Sequence, residues 1–452
     1  MTWWTKGLRS LISSEQGERL DLFRIFPGFR RFLAARHHYA YLRTGGDVLF
    51  IAVIISGFFG PQDPNRNFSV FLTWGLLWPS IVLSWFFVGR MWCGICPFPG
   101  LGVFLQRKGI SIDLPVPKSI KKYGVYFSVF LLAFIIWIEI VADMPNRPAG
   151  TSYLVLSIAI GAALLSVTYT GQAWCRHFCP LGRISGAAAT LSITEFRPDL
   201  DKCRGCETFA CKSGIRGKRG CPVYLGAYNV QHNLHCLVCG HCLTCCHRDS
   251  PRFLLRNPYS ELIRNKGRYI TCSYIVPFLI GSQLARFLRE KPVYSFFLAR
   301  TGMTDAIAFS LLLLAGFLLI LAVIRFGSSL FGITEDQIFG RFNPMVPILI
   351  PMAFTGELVY RMESFAEGIG NFLPTIGRQF SFHLLEKTSF VIPVFPVQML
   401  SSFLMLNGAI AGCYILWRFC LEDFEGLVEL KKFIGLNLLI TAQLLAYLLV
   451  IF

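Results

Sequence analysis

Long apolar runs separated by short basic connections dominate the chain. They fall at 47–60, 68–89, 124–142, 152–172, 270–285, 304–325, 345–360, 391–419 and 434–452. A membrane-crossing helix takes about 20 mostly apolar residues. Most of the runs reach that length. Those at 47–60, 270–285 and 345–360 are short, and each fits a tilted, interfacial or re-entrant segment as well as a span. The pattern predicts an all-α polytopic membrane protein with eight or nine spans. Composition agrees, with 54% hydrophobic and only 15% charged residues, and a mean hydropathy of +0.53. A soluble domain is usually about 45–50% apolar and about 25% charged. The 42 phenylalanines and 9 tryptophans suit a membrane body with interfacial anchors.

Net charge is +17. The basic residues lie between apolar runs and not in one soluble domain, so nucleic-acid binding is not expected. They alternate instead. The N-terminal segment is rich in arginine, the loop at 60–67 carries only Arg66, the next connection carries Arg90, Arg107 and four lysines, and the loop at 143–150 carries only Arg147. Lysine and arginine stay on the cytoplasmic side. The N-terminus, the two Cys-Pro motifs described below and a cysteine-rich segment are therefore all expected there, in a bacterial cytoplasmic (inner) membrane. The rule blurs at 286–303, where Arg286, Arg289, Lys291 and Arg300 would lie outside if 270–285 spans. The N-terminus stays basic for some forty residues, so no cleavable signal peptide is expected. Four regions follow: a basic cytoplasmic segment at 1–46, two helical hairpins at 47–172, a cytoplasmic cysteine-rich segment at 173–269, and a membrane module of unassigned role at 270–452.

The hairpins carry an internal repeat. Arg-Met-Trp-Cys-Gly-Ile-Cys-Pro at 90–97 matches Gln-Ala-Trp-Cys-Arg-His-Phe-Cys-Pro at 172–180. Each hairpin thus ends in a Trp-Cys…Cys-Pro element at the same membrane face. Cys93, Cys96, Cys175 and Cys179 form a tetrad with three open readings: a third iron–sulfur cluster, a dithiol relay, or a structural site. Two residues separate the first pair and three the second, so the site is not expected to be fully symmetric.

Sixteen cysteines are present, nine of them within 203–246. Clustering at spacings of two and three reads as metal ligation in a reducing compartment. The segment runs Cys203-x2-Cys206-x4-Cys211, then Cys221-Pro222, then Cys236-x2-Cys239-x2-Cys242-x3-Cys246. The last run has the spacing of a bacterial ferredoxin, in which three close thiolates hold one cubane and the fourth ligand comes from the other run. By that logic one [4Fe–4S] cluster takes Cys203, Cys206, Cys211 and Cys246, and a second takes Cys236, Cys239, Cys242 and Cys221. Structural zinc uses similar pairs and is not excluded by spacing alone.

Two departures stand out. Nine residues separate Cys211 from Cys221, and this basic insert reads as a solvated loop or a docking loop for an acidic partner. His247, not proline, follows Cys246, and Cys245 beside it leaves the last ligand open. Cys272, Cys413 and Cys420 read as buried small hydrophobes. None of the eight histidines lies inside a well-defined membrane helix, so no haem is expected within this chain. Glu139 and Glu357 fall in apolar runs, where acids are expensive. Glu357 is spaced to pair with Arg361, and a role for Glu139 and Glu357 in quinone or proton chemistry stands beside that reading.

Paired Trp-Cys…Cys-Pro elements followed by a ferredoxin-like segment resemble the polyferredoxin-type membrane proteins. That group includes the quinol-dehydrogenase membrane subunit of periplasmic nitrate reductase systems and the accessory membrane proteins of nitrous-oxide reductase and of cbb3 oxidase assembly. The resemblance covers roughly 45–250. It implies single-electron transfer between the quinone pool and a partner redox protein, as a subunit of a membrane oxidoreductase complex, with lipid, a quinone and other subunits as partners. The rival expectations are an assembly or metal-reduction factor for a respiratory enzyme, and a redox-sensing or structural subunit.

Overall fold

The computed structural model describes residues 19–35, 38–215, 220–264, 270–330, 346–423 and 427–451. Residues 216–219 of the basic insert and the side chain of Cys420 lie outside the described residues. The chain forms two compact units. One comprises Met1–Ile55, Leu83–Ser128 and Ser152–Glu261; the other comprises Ser56–Val82, Val129–Thr151 and Leu262–Phe452.

Helices of eight residues or more run in the order α1 Pro27–Ala34, α2 His38–Phe59, α3 Phe68–Val88, α4 Gly100–Arg107, α5 Lys118–Val141, α6 Pro148–Thr168 and α7 Pro180–Ala188. They continue as α8 Ile270–Arg289, α9 Pro292–Thr301, α10 Asp305–Leu330, α11 Val346–Phe380, α12 Val394–Asp423 and α13 Leu427–Ile451. Among the described residues, seven helical stretches are long and apolar enough to cross a membrane: Tyr41–Phe59, Phe68–Val88, Lys118–Val141, Pro148–Thr168, Asp305–Phe326, Val394–Phe419 and Phe433–Ile451. They mark a multi-pass membrane protein.

The two sequence candidates outside this set became α8 and the first half of α11. Both are enclosed by protein. Residues 272–283 of α8 and 346–359 of α11 are buried without interruption. A helix buried on all sides reads as apolar from sequence whether lipid or protein covers it. The polar residues that lower the hydropathy of α8 and α11, among them Gln283, Arg286, Glu357 and Arg361, are satisfied inside the protein. Close helix approach is built from glycine. A Cβ on Gly281 of α8 would stand 2.6 Å from the backbone of Gly316 in α10, and one on Gly75 of α3 would stand 2.9 Å from Gly368 Cα in α11. Small residues serve helix contacts in membranes in this way.

The first unit also contains a β element that apolar periodicity did not reveal, so the fold is not wholly helical. β1 (Thr194–Pro198) pairs antiparallel with β2 (Pro251–Leu255), in a register running from Thr194 opposite Leu255 to Pro198 opposite Pro251. Phe196 and Phe253 face each other and join Phe23, Leu33, Val238 and Leu243 in one buried cluster, against which Phe29, Cys236 and Cys242 pack. The N-terminal segment, read from sequence only as basic, thus supplies part of the wall behind the cysteine loop.

A buried polar hub holds this pair to the helices of the same unit. The Arg256 guanidinium donates to the carbonyls of Ala189, Thr190 and Ser192 and to Glu261. Glu261 accepts from Asn233 N at 3.0 Å, and Thr194 Oγ1 donates to Phe87 O at 2.7 Å.

Candidate metal centre

The two Cys-Pro motifs differ by one residue, and local helix type absorbs the difference. Cys93 lies on a 3-10 turn, Met91–Gly94, with Cys93 N donating to Arg90 O at 2.9 Å. Cys175 lies on a π turn, Trp174–Phe178, closed by Cys179 N donating to Trp174 O at 2.8 Å. The 3-10 turn is tight and the π turn wide. The longer motif therefore rides on the wider turn. Beyond it, Pro180 opens α7, and Cys179 caps that helix by accepting Gly182 N on its sulfur at 3.2 Å.

The four sulfurs come together. The Cys96 thiol is raised well above the ordinary thiol range, first by burial and then by Cys93, Cys175 and Cys179. Cys175 is raised by burial, Cys179 and Cys93, with Arg90 and Arg43 acting in the opposite sense. Burial pushes Cys179 up to about 11, and Cys93 adds to the rise; the Gly182 and Leu181 N–H groups and Arg90 lower it. His177, between the second pair, is lowered to about 4 by burial and then by Arg176, Arg183 and Lys121, so it is neutral at ordinary pH.

The cysteine-rich segment gathers two further groups. Burial raises Cys211, which faces Cys246 and Cys203 and receives the Ala227 and Tyr228 N–H groups. Cys203 Sγ lies 3.0 Å from Ser250 Oγ, and Ser250 N donates to Cys246 Sγ at 3.4 Å. Cys206, at the exposed edge, is lowered chiefly by the Phe209 N–H. Cys246 is thus the neighbour of Cys211 and Cys203, whereas Cys245 is buried against Thr244 Oγ1 at 3.5 Å.

In the other group burial raises Cys242, followed by Cys239, Cys236, Cys221 and Cys211. Cys236 is pushed up to about 11 by burial, with the Val238 N–H lowering it and Cys221 raising it. The long gap closes on itself, because Cys221 N donates to Cys211 O at 2.9 Å. Between Cys236 and Cys242 the loop takes left-handed backbone at Val238 (φ 53°) and Gly240 (φ 74°). A β-branched residue in that region is a genuine outlier, and such strain gathers at binding sites.

Crowded, buried thiols resist ionisation, and a metal supplies the positive charge that deprotonates them. Soft sulfur donors with backbone N–H groups aimed at them fit iron–sulfur ligation. Among the described residues no group of three or more His, Cys, Asp or Glu is arranged around a single metal ion.

Residues 70–117 and 151–192 match the family model for a 4Fe-4S binding domain. The match supports iron–sulfur cluster binding by this chain. The two matched stretches are the repeated hairpin ends, and they contain Cys93, Cys96, Cys175 and Cys179. The chain is also similar to an uncharacterized protein of Methanocaldococcus jannaschii, 24% identical over 180 residues, covering 38% of this chain and 68% of the relative. No solved structure matches the chain.

Glu139 and Glu357 lie in the second unit, where the structure joins them through arginine. Arg361 donates to both carboxylate oxygens of Glu139, at 2.5 and 3.2 Å, and to Glu357 at 3.3 Å. Arg286 donates to Glu357 at 2.5 and 3.4 Å, Gln283 donates to it at 3.2 Å, and Tyr447 donates to Gln283. Sequence spacing gave the Glu357–Arg361 pair; Glu139 and Arg286 come from other helices and carry no local signal. Of the remaining cysteines, Cys272 is buried and Cys413 half-buried.

Proposed function

We propose that this chain is a polyferredoxin-type membrane protein that passes single electrons between the quinone pool and a partner redox protein. In this reading the N-terminus and all three cysteine groups face the cytoplasm of a bacterial-type inner membrane, and the chain works as a subunit of a redox complex. The observation that carries the reading is the gathering of thiols within one compact unit: Cys96 with Cys93, Cys175 and Cys179, Cys242 with Cys221, Cys236 and Cys239, and Cys211 with Cys203 and Cys246. Their adjacency supports a relay, since Cys242 has Cys211 of the neighbouring group among the thiols that raise it.

Cys203, Cys206, Cys211 and Cys246 would hold one [4Fe–4S] cluster, Cys221, Cys236, Cys239 and Cys242 a second, and Cys93, Cys96, Cys175 and Cys179 a third. Bound clusters accept and release one electron at a time. The chain's own part is to bury the thiolates, to aim the N–H groups of Gly182, Val238, Ala227 and Tyr228 at sulfur, and to surround the sites with arginine. Positive charge and N–H donors stabilise the reduced, more negative state. No side chain makes or breaks a bond.

Iron and acid-labile sulfide on anaerobically purified protein, with low-temperature EPR after reduction, test this. Three clusters give about twelve iron and twelve sulfide per chain, and Cys175→Ser removes about four of each together with one EPR signal. About eight of each, unchanged in Cys175→Ser, would leave the tetrad as thiols and favour an assembly or metal-reduction role. Zinc without sulfide would end the electron-transfer reading.

A further inference from the structure

The tetrad and the Cys236 group share a buried cation. Arg90 follows α3, opens the first Cys-Pro motif and is 6% exposed. Its Nη1 donates to Leu234 O at 2.9 Å, two residues before Cys236. Its Nε has no hydrogen-bond partner among the described residues, and no carboxylate among them pairs with it. α7 makes room for the guanidinium with glycine. A Cβ on Gly182 would stand 3.1 Å from Arg90 Nη2, and one on Gly186 would stand 3.3 Å from Nη1. The same Gly182 position is 3.4 Å from Cys179 Cβ and 3.5 Å from Cys175 O. Arg90 therefore lies over the glycine stripe of α7, with the tetrad on one side and the Cys236 loop on the other. Its charge reaches Cys175, Cys179 and Cys236.

A buried charge without an opposite partner is strongly unfavourable. Thiolates carrying iron–sulfur clusters supply the missing negative charge. We propose that Arg90 is the shared counter-charge of two neighbouring cluster sites, the tetrad and the Cys221–Cys236–Cys239–Cys242 group, and that it holds both at raised reduction potential. This rests on the reading of the tetrad as a cluster site. One electron added to either site adds one negative charge facing the same guanidinium, and no proton need be taken up.

The test is a redox titration of the full chain with dithionite, followed by EPR, on the wild type, Arg90→Gln and Arg90→Lys, with iron and sulfide counted on each. The tetrad signal is the one that Cys175→Ser removes. Arg90→Gln should keep its iron while both signals move to more negative potential. The expected shift is about tenfold in each reduction equilibrium, about 59 mV for one electron. Arg90→Lys should stay close to the wild type. Unchanged potentials in an iron-replete Arg90→Gln protein overturn the proposal, and so does movement of only one signal. If Arg90→Gln loses iron, Arg90→Lys must retain it; loss in both assigns Arg90 to packing and overturns the proposal. The underlying reading fails separately, if Cys175→Ser leaves iron and signals as they were.

Discussion

Single residues decide which sulfur serves which group. Cys245 and Cys246 are adjacent, and spacing from Cys242 alone does not choose between them. Backbone direction favours Cys246, which accepts Ser250 N beside Cys203, while Cys245 turns into the interior against Thr244. Cys246→Ser should lower iron by about four per chain, the content of one cubane, and Cys245→Ser should leave it unchanged. Iron analysis of the two variants checks this, and the reverse result would move the ligand to Cys245. The cysteine groups were legible in the sequence because most neighbouring members have two to four residues between them, the spacing that thiolate ligation uses. The sequence did not disclose Arg90, because an arginine after a membrane helix looks like ordinary positive-inside charge. Its burial and its glycine bed appear only once α7 is packed beside it.

At the scale of elements, the sequence announced the long helices and concealed the small ones. Apolar length gave α3, α5 and α6 directly. The strands β1 and β2 escaped because Thr-Glu-Phe-Arg-Pro and Pro-Arg-Phe-Leu-Leu are too short and too charged to show a two-residue period. Their stability comes from Phe196 and Phe253 against the N-terminal aromatics. Phe196→Ala should therefore cost about 3–5 kcal/mol and weaken the Cys236 group, since Cys236 and Cys242 pack on that cluster. Denaturant unfolding followed through the cluster absorbance reads it; a loss below about 1 kcal/mol would show that the pair does not support the loop. The one-residue mismatch between the Cys-Pro motifs had looked like broken symmetry. The 3-10 and π turns show how a repeat tolerates an inserted residue by changing the pitch of one turn.

Across the whole molecule, hydropathy identified the membrane body but did not separate apolar helices covered by protein from those facing lipid. α8 and α11 read as weak spans because burial in protein and burial in lipid select the same residues. Their charged residues belong to the network Glu139–Arg361–Glu357–Arg286, whose side chains are at most 6% exposed. Removing one member of such a network strands its partner. Glu139→Ala should destabilise the protein by about 3–5 kcal/mol, and a Glu139→Leu, Arg361→Met pair should recover much of that. Thermal unfolding in detergent is the measurement. If Glu139→Gln instead keeps full stability and abolishes quinol oxidation, the glutamate handles protons.

The register of the small sheet has a wider consequence. Pro198 faces Pro251 at its last rung, so the chain leaves and returns at a single point. Both ferredoxin-like cysteine groups hang between those prolines as one long loop on a two-stranded stem. Such a stem is a cassette mount. A segment mounted this way can change in length between its anchored points without moving the strand ends that carry it.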